Sequence, residues 1–149
     1  MKRSTVLAFL FLLVIAATTS LAGARRAHSS LFFTVELHQS KLGKVLENPG
    51  RSVLYEFTGD RPGKSRCSLI KGCSAIWTAQ PAENGVSTGP GLKRSLASSI
   101  PTPQGGRQLT YAGHPLYIYL PSPTSTRYVG VSQFGGRWYA INAQGKAVK

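Results

Sequence analysis

Acidic residues are scarce in this chain: 5 Asp and Glu stand against 18 Lys and Arg in 149 residues, a net charge of +13. Asp60 is the only Asp, so a paired-carboxylate site would have to combine it with Glu56. Both sit among positive neighbours, which lower rather than raise a carboxylate pKa. Only three His occur, His28, His38 and His114, and none has metal-ligand spacing with the two Cys. A Gly-x-Ser-x-Gly elbow is missing, so a Ser/His/Asp arrangement would have to be built on Asp60. A Gly-rich phosphate loop behind a strand is also missing, and no cofactor is implied. Long apolar runs end within the first two dozen positions. With 16 Gly and 9 Pro, a long helical bundle is excluded, because helix interiors tolerate neither residue. What remains is a small, basic, turn-rich domain.

Residues 1 to 24 read as a secretory signal peptide. Lys2 and Arg3 give a basic start, Val6 to Ile15 is almost unbroken hydrocarbon, and Leu21-Ala22-Gly23-Ala24 supplies small residues for cleavage. A membrane anchor needs roughly twenty apolar residues, about twice this core. Cleavage after about Ala24 leaves residues 25–149, and the loss of Lys2 and Arg3 takes the net charge from +13 to +11. No Cys lies near the cleavage site, so the product is expected to be secreted without a lipid anchor.

Outside the cytosol two cysteines usually pair. Cys67 and Cys73 enclose Ser68 to Gly72, a loop that a disulfide can close, contributing roughly 2 kcal/mol by the chain-entropy estimate. The alternative is a redox-active dithiol with Lys64, Arg66 and Lys71 lowering a thiol pKa, although the spacing is wider than Cys-x-x-Cys.

Along the chain, Leu31 to Leu37 alternate as a strand. Lys44–Glu47 and Ser52–Phe57 flank Asn48-Pro49-Gly50-Arg51 and read as a hairpin, with Pro presetting one dihedral and Gly accepting positive φ. Leu69, Cys73, Ile76 and Trp77 fall at helical spacing, so one short helix is predicted there, ending before Pro81. Residues 83–104, rich in Gly, Ser, Thr and Pro, read as a loop or linker. Strands resume at Arg107–Tyr111, Pro115–Leu120 and Arg137–Asn142.

The two halves align. Leu54-Tyr55-Glu56-Phe57 matches Leu116-Tyr117-Ile118-Tyr119, and Trp77 and Trp138 follow those leucines by 23 and 22 positions. An internal duplication is therefore expected, with repeat one at about 42–82 and repeat two at about 105–149. The fold class that follows is mainly β: two tandem hairpin-based repeats, one short helix and a small disulfide loop.

Tyr55-Glu56-Phe57-Thr58-Gly59-Asp60, together with Pro62-Gly63-Lys64-Ser65 before a Cys, Leu109 to Tyr117, and Phe134-Gly135-Gly136-Arg137-Trp138-Tyr139, resembles a bacterial secreted-repeat and lipoprotein family of unknown function. Its signature is Tyr-x-(Phe/Trp/Tyr)-x-x-Asp, the Y-X4-D motif. The resemblance spans about Leu42 to Gly145 and implies an extracytoplasmic repeat protein, but no reaction. This chain departs from the pattern in lacking the acylated Cys, in spacing Cys67 and Cys73 more widely, and in carrying Ser122 where repeat two would place its Asp.

Two roles fit Asp60: a ligand or acid/base group, or an acceptor for backbone N–H groups of its own turn. Tyr55 with Phe57, and Tyr117 with Tyr119, share one side of a strand, a pattern that serves core packing more often than a binding platform. The charge excess favours contact with polyanions outside the cell: an anionic cell-wall polymer, a membrane surface or extracellular DNA. A solvated surface without a partner would look the same, and gene regulation is disfavoured by the signal peptide. The expected function is a non-catalytic, envelope-associated protein that binds an anionic surface polymer. The alternative is an extracytoplasmic thiol-redox or other enzyme using Cys67/Cys73 or Asp60.

Overall fold

Frequent Gly and Pro permit only short uninterrupted ladders, and the strands are two to five residues long. The computed structural model describes residues 34–149 and is mainly β; the predicted leader lies outside the described residues. A two-residue tip at Lys41-Leu42 folds β1 (Glu36–Ser40) onto β2 (Gly43–Glu47). Then follow β3 (Tyr55–Phe57), β4 (Trp77–Ala79), β5 (Ala97–Pro101), β6 (Arg107–Tyr111), β7 (His114–Pro115), β8 (Tyr117–Tyr119), β9 (Ser132–Gln133) and β10 (Gly136–Ala140). They form the β1-β2 hairpin, a three-stranded sheet β5-β6-β7, and a five-stranded sheet in the order β4-β8-β3-β10-β9. Among the described residues no helix is long and apolar enough to cross a membrane.

The five-stranded sheet interleaves the two halves. Its centre is the antiparallel pairing of β3 with β8 at Tyr55↔Tyr117. On one side Trp138 faces Phe57, and on the other Trp77 faces Tyr119. Since Tyr55 and Tyr117 are repeat equivalents, as are Phe57 and Tyr119, and Trp77 and Trp138, a pseudo-twofold axis passes through the central pair. Each Trp strand is thus hydrogen-bonded to the Tyr strand of the other half. The hairpins obey the same relation. Leu46 N donates to Ile141 O at 2.8 Å while Leu109 N donates to Gln80 O at 2.8 Å, and the Glu47↔Val53 bridge matches Thr110↔Pro115.

Several expectations change accordingly. Residues 83–104 are no featureless linker: they hold a 3-10 turn at Arg94–Leu96 and then β5. In register β5 is the counterpart of β1, so each half begins with a strand upstream of the Leu-Tyr landmarks visible in the sequence. Of the strand read at residues 31–37, positions 31–33 lie outside the described residues, and among the described ones β1 runs over Glu36–Ser40. The hairpin read across Asn48–Arg51 is short, held by the Glu47↔Val53 bridge, a Leu54 N to Leu46 O bond of 2.9 Å and an Asn48 N to Ser52 O bond of 3.0 Å, while β2 finds its main partner in β1. In that turn the left-handed residue is Arg51 (φ 65°), not Gly50. The short helix is one 3-10 turn at Cys67–Leu69, and Trp77 opens β4, where its ring gains cross-strand aromatic contacts.

Two apolar clusters stabilise this arrangement. One face of the five-stranded sheet gathers Tyr55, Phe57, Trp77, Tyr117, Trp138 and Ala140, with Cys67 and Cys73 against them. The other cluster gathers the matched leucines Leu46 and Leu109, and Leu54 and Leu116, with Val35, Tyr111 and Ile141. Burial of each large side chain contributes roughly 1.5–3 kcal/mol, and each well-placed ring pair adds about 0.5–1.5 kcal/mol. Trp77 and Trp138 stack at 4.0 Å and 4°, Phe57 stacks on Trp138 at 4.3 Å, and Tyr55 and Tyr117 meet Trp77 and Trp138 edge-on at 5.1 and 5.2 Å.

Candidate functional site

The motif aromatics are core, not surface. Tyr55, Phe57 and Tyr117 are buried, and Tyr119 lies half-buried on Trp77 and Tyr128. Their hydroxyls bind the halves together: Tyr55 donates to Ser125 O at 2.5 Å, and Tyr117 donates to Asp60 Oδ2 at 2.8 Å. Each central tyrosine therefore reaches the loop that follows the other half's central strand.

Asp60 closes the loop it begins. Asp60 N donates to Phe57 O at 3.0 Å, its Oδ1 accepts from Arg66 N at 2.7 Å, and Oδ2 accepts from Tyr117, whose oxygen is 2.7 Å from Ser65 Oγ. Both carboxyl oxygens are thus committed to shaping residues 60–66. Burial nevertheless raises the Asp60 pKa to about 6, with the hydrogen bonds from Tyr117 and Arg66 opposing. That reverses the sequence expectation for Asp60: withdrawal from water outweighs the surrounding positive charge. Burial, followed by the Asp60 charge, pushes the Tyr117 phenol up, so Tyr117 remains a donor.

On β3 Glu56 is also buried, and His114 Nδ1 donates to its Oε2 at 2.6 Å. That bond lifts the His114 pKa above its ordinary value, with burial opposing. The pair and Asp60 line a cavity of about 280 Å³ between Thr58–Pro62 and Ala112–Pro115. The His114 ring is directed at Glu56, and no Ser hydroxyl is bonded to it among the described hydrogen bonds. Among the described residues no three His, Cys, Asp or Glu side chains converge as a metal site.

Cys67 and Cys73 are joined, with Cα atoms 5.3 Å apart, and both residues are fully buried. The disulfide belongs to the aromatic cluster and offers no exposed sulfur for exchange.

The surface next to the Asp60 loop has a different chemistry. Loop residues 61–66 and the β5–β6 tip at Ile100–Pro103 wall a groove of about 730 Å³. Arg61, Lys64 and Arg66 are exposed along it, Leu69 is 71% exposed at its edge, and no carboxylate lines it. Asp60, the nearest acid in sequence, is turned inward to Tyr117 and the Arg66 amide. A Pro62-Gly63 turn with Gly63 at φ 67° and a Gly63 N to Gly113 O bond of 2.9 Å hold the cationic loop against the other half.

The sequence therefore locates Tyr55, Phe57, Asp60, Tyr117 and Tyr119, and the structure joins Asp60 with Tyr117. It does not bring Asp60 to Cys67 or Cys73 as a reactive set. Ser65, the Glu56–His114 pair and the groove were missed by sequence reasoning. Only the crowding of Arg61, Lys64 and Arg66 around one turn hinted at the groove, because its other wall is 34 or more positions away. Against protein-family models, characterised proteins and solved structures alike, the chain shows no match.

Proposed function

We propose that this is an extracytoplasmic, non-catalytic protein that binds an anionic polymer of the cell surface in the groove beside the Asp60 loop. The observation that carries this reading is the set of three exposed cations, Arg61, Lys64 and Arg66, on a groove without a lining carboxylate. Two arginines present planar forks that match phosphate or carboxylate groups, and Ile100, Leu69 and the prolines offer apolar walls for a polymer backbone. A concave groove suits a linear chain better than a planar bilayer, which favours the wall polymer over the membrane surface. The leader-like N-terminus supports an extracytoplasmic location.

Incubating the protein with isolated cell envelopes at low and high salt tests this. Retention that salt reverses, and that falls in R61Q/K64Q/R66Q, is expected. Salt-independent or absent retention overturns the reading. Equal retention by anionic vesicles lacking polymer would replace the wall polymer with the membrane as the partner.

A further inference from the structure

The pseudo-twofold axis implies that a groove walled by one half's loop and the other half's hairpin tip should exist twice, and it does. Residues 124–127, which follow β8 as residues 61–66 follow β3, face the β1–β2 tip at His38–Lys41 across a groove of about 650 Å³. The register makes the tips equivalent: Leu37 pairs with Leu46 as Ser99 pairs with Leu109, so His38–Lys41 occupy the place of Ile100–Pro103. The loops are equivalent through their tyrosines, Tyr55 holding Ser125 as Tyr117 holds Asp60 and Ser65.

The second groove is also cationic, but its charges are not copies of the first. Lys41 stands on the hairpin tip, Arg51 on the turn and Arg127 on the loop, all exposed. Lys64 and Arg66 correspond instead to Thr126 and Tyr128, so duplication of the sequence alone does not account for positive charge in both grooves. The same sign reached from different positions indicates a shared demand on both surfaces.

We infer that the protein is bivalent: each groove holds a separate stretch of phosphate-bearing polymer, so one molecule bridges two stretches. This rests on the polyanion reading above and adds to it the ligand class and the second site. The two grooves differ in strength. Glu47 lines the second and pairs with Arg51 at 3.1 Å, offsetting one cation, and His38 contacts Arg51 from the opposite strand. The Arg61/Lys64/Arg66 groove is the tighter.

Inorganic polyphosphate is the probe. With chains of about ten units, too short to profit from bridging, low-salt titration calorimetry should find two unequal sites in the wild type. R61Q/K64Q/R66Q should keep only the weaker site, K41Q/R127Q only the tighter, and the combined variant neither. Thermal unfolding checks that these surface changes leave the fold intact. With long polyphosphate the wild type should form cross-linked, light-scattering assemblies that high salt dissolves, and neither single-groove variant should do so. One site in the wild type, or unchanged titration and scattering by K41Q/R127Q, overturns bivalence while leaving the first groove standing. No binding of either probe by the wild type overturns the phosphate-polymer assignment itself, and envelope retention then decides whether the broader reading survives.

Discussion

Trp77 and Trp138, supplied by opposite halves of the chain, stack face to face 4.0 Å apart and within 4° of parallel. Both are fully buried, and each is edge-packed by the tyrosine of its own half's central strand, Tyr55 on Trp77 and Tyr117 on Trp138. The pair is the point at which the halves depend on each other. Trp77→Ala or Trp138→Ala should each cost about 3–5 kcal/mol. In urea unfolding the double variant should lose less than the sum, with a coupling of about 0.5–3 kcal/mol. Strict additivity would show that the rings act independently.

Phe57 leaves no room on either side. A Cβ built at Gly136 would lie 2.5 Å from the Phe57 ring and 2.9 Å from Gly59 N, and one at Gly59 would lie 2.4 Å from the same ring. Gly136→Ala should therefore destabilise by about 1–3 kcal/mol through overpacking. Adding Phe57→Leu should recover part of that loss, because it removes the obstructing ring edge. Tm measurements on the single and double variants give the comparison, and an uncorrected loss in the pair would locate the clash on the Gly59 backbone instead.

Stability should fall with rising pH through Asp60. Its folded pKa of about 6 lies above the ordinary 3.8, so the native state holds a proton that the unfolded chain has released. The contribution is full below 3.8 and is lost as pH rises toward 6. His114, also raised, loses its contribution as pH climbs through its folded value, so the two slopes share a sign. Asp60→Asn should remove the Asp60 component, and the variant should gain on wild type as pH goes from about 4 to 7. Denaturant midpoints across that range measure it; wild type gaining on the variant would reverse the assignment.

The Cys67–Cys73 bond should be structural. Native protein should resist alkylation after mild reductant, reacting only once unfolded, because both residues are fully buried. Cys67→Ala/Cys73→Ala should cost at least about 2 kcal/mol from the lost loop constraint, plus the packing vacated beside Trp77. Mass spectrometry after timed alkylation reads the first outcome. Rapid labelling under native conditions would return the cysteines to consideration as a redox pair.

Much of this architecture is visible in the sequence, and the limits have physical causes. The alternation of Tyr55 with Phe57 and of Tyr117 with Tyr119 is enough to place two strands with one apolar face, and the matched Trp positions agree with the cross-half pairing of β4 and β10. Pairing is less accessible, since Trp77 at helical spacing from Cys73 and Leu69 looks like a helix until Tyr119, more than forty positions away, becomes its cross-strand neighbour. Strand β5, Ala97-Ser98-Ser99-Ile100-Pro101, carries one large apolar side chain and is recruited by hydrogen bonds to β6 rather than by its own composition. Asp60 was legible as a turn residue. Its tyrosine partner, from the other half, was not, and neither was the burial that raises its pKa.

The interleaved order β4-β8-β3-β10 also bears on descent. A lone copy of the repeat would carry a central strand with both edges open and a Trp strand without its cross-half partner. Two identical copies could satisfy those edges by exchanging Trp strands around a true dyad, as a homodimer. Fusion of two such genes would turn a concentration-dependent assembly into a unimolecular fold. Covalent joining would release each copy from identity, and a disulfide and a lone aspartate in one half with neither in the other is the asymmetry such a release would permit.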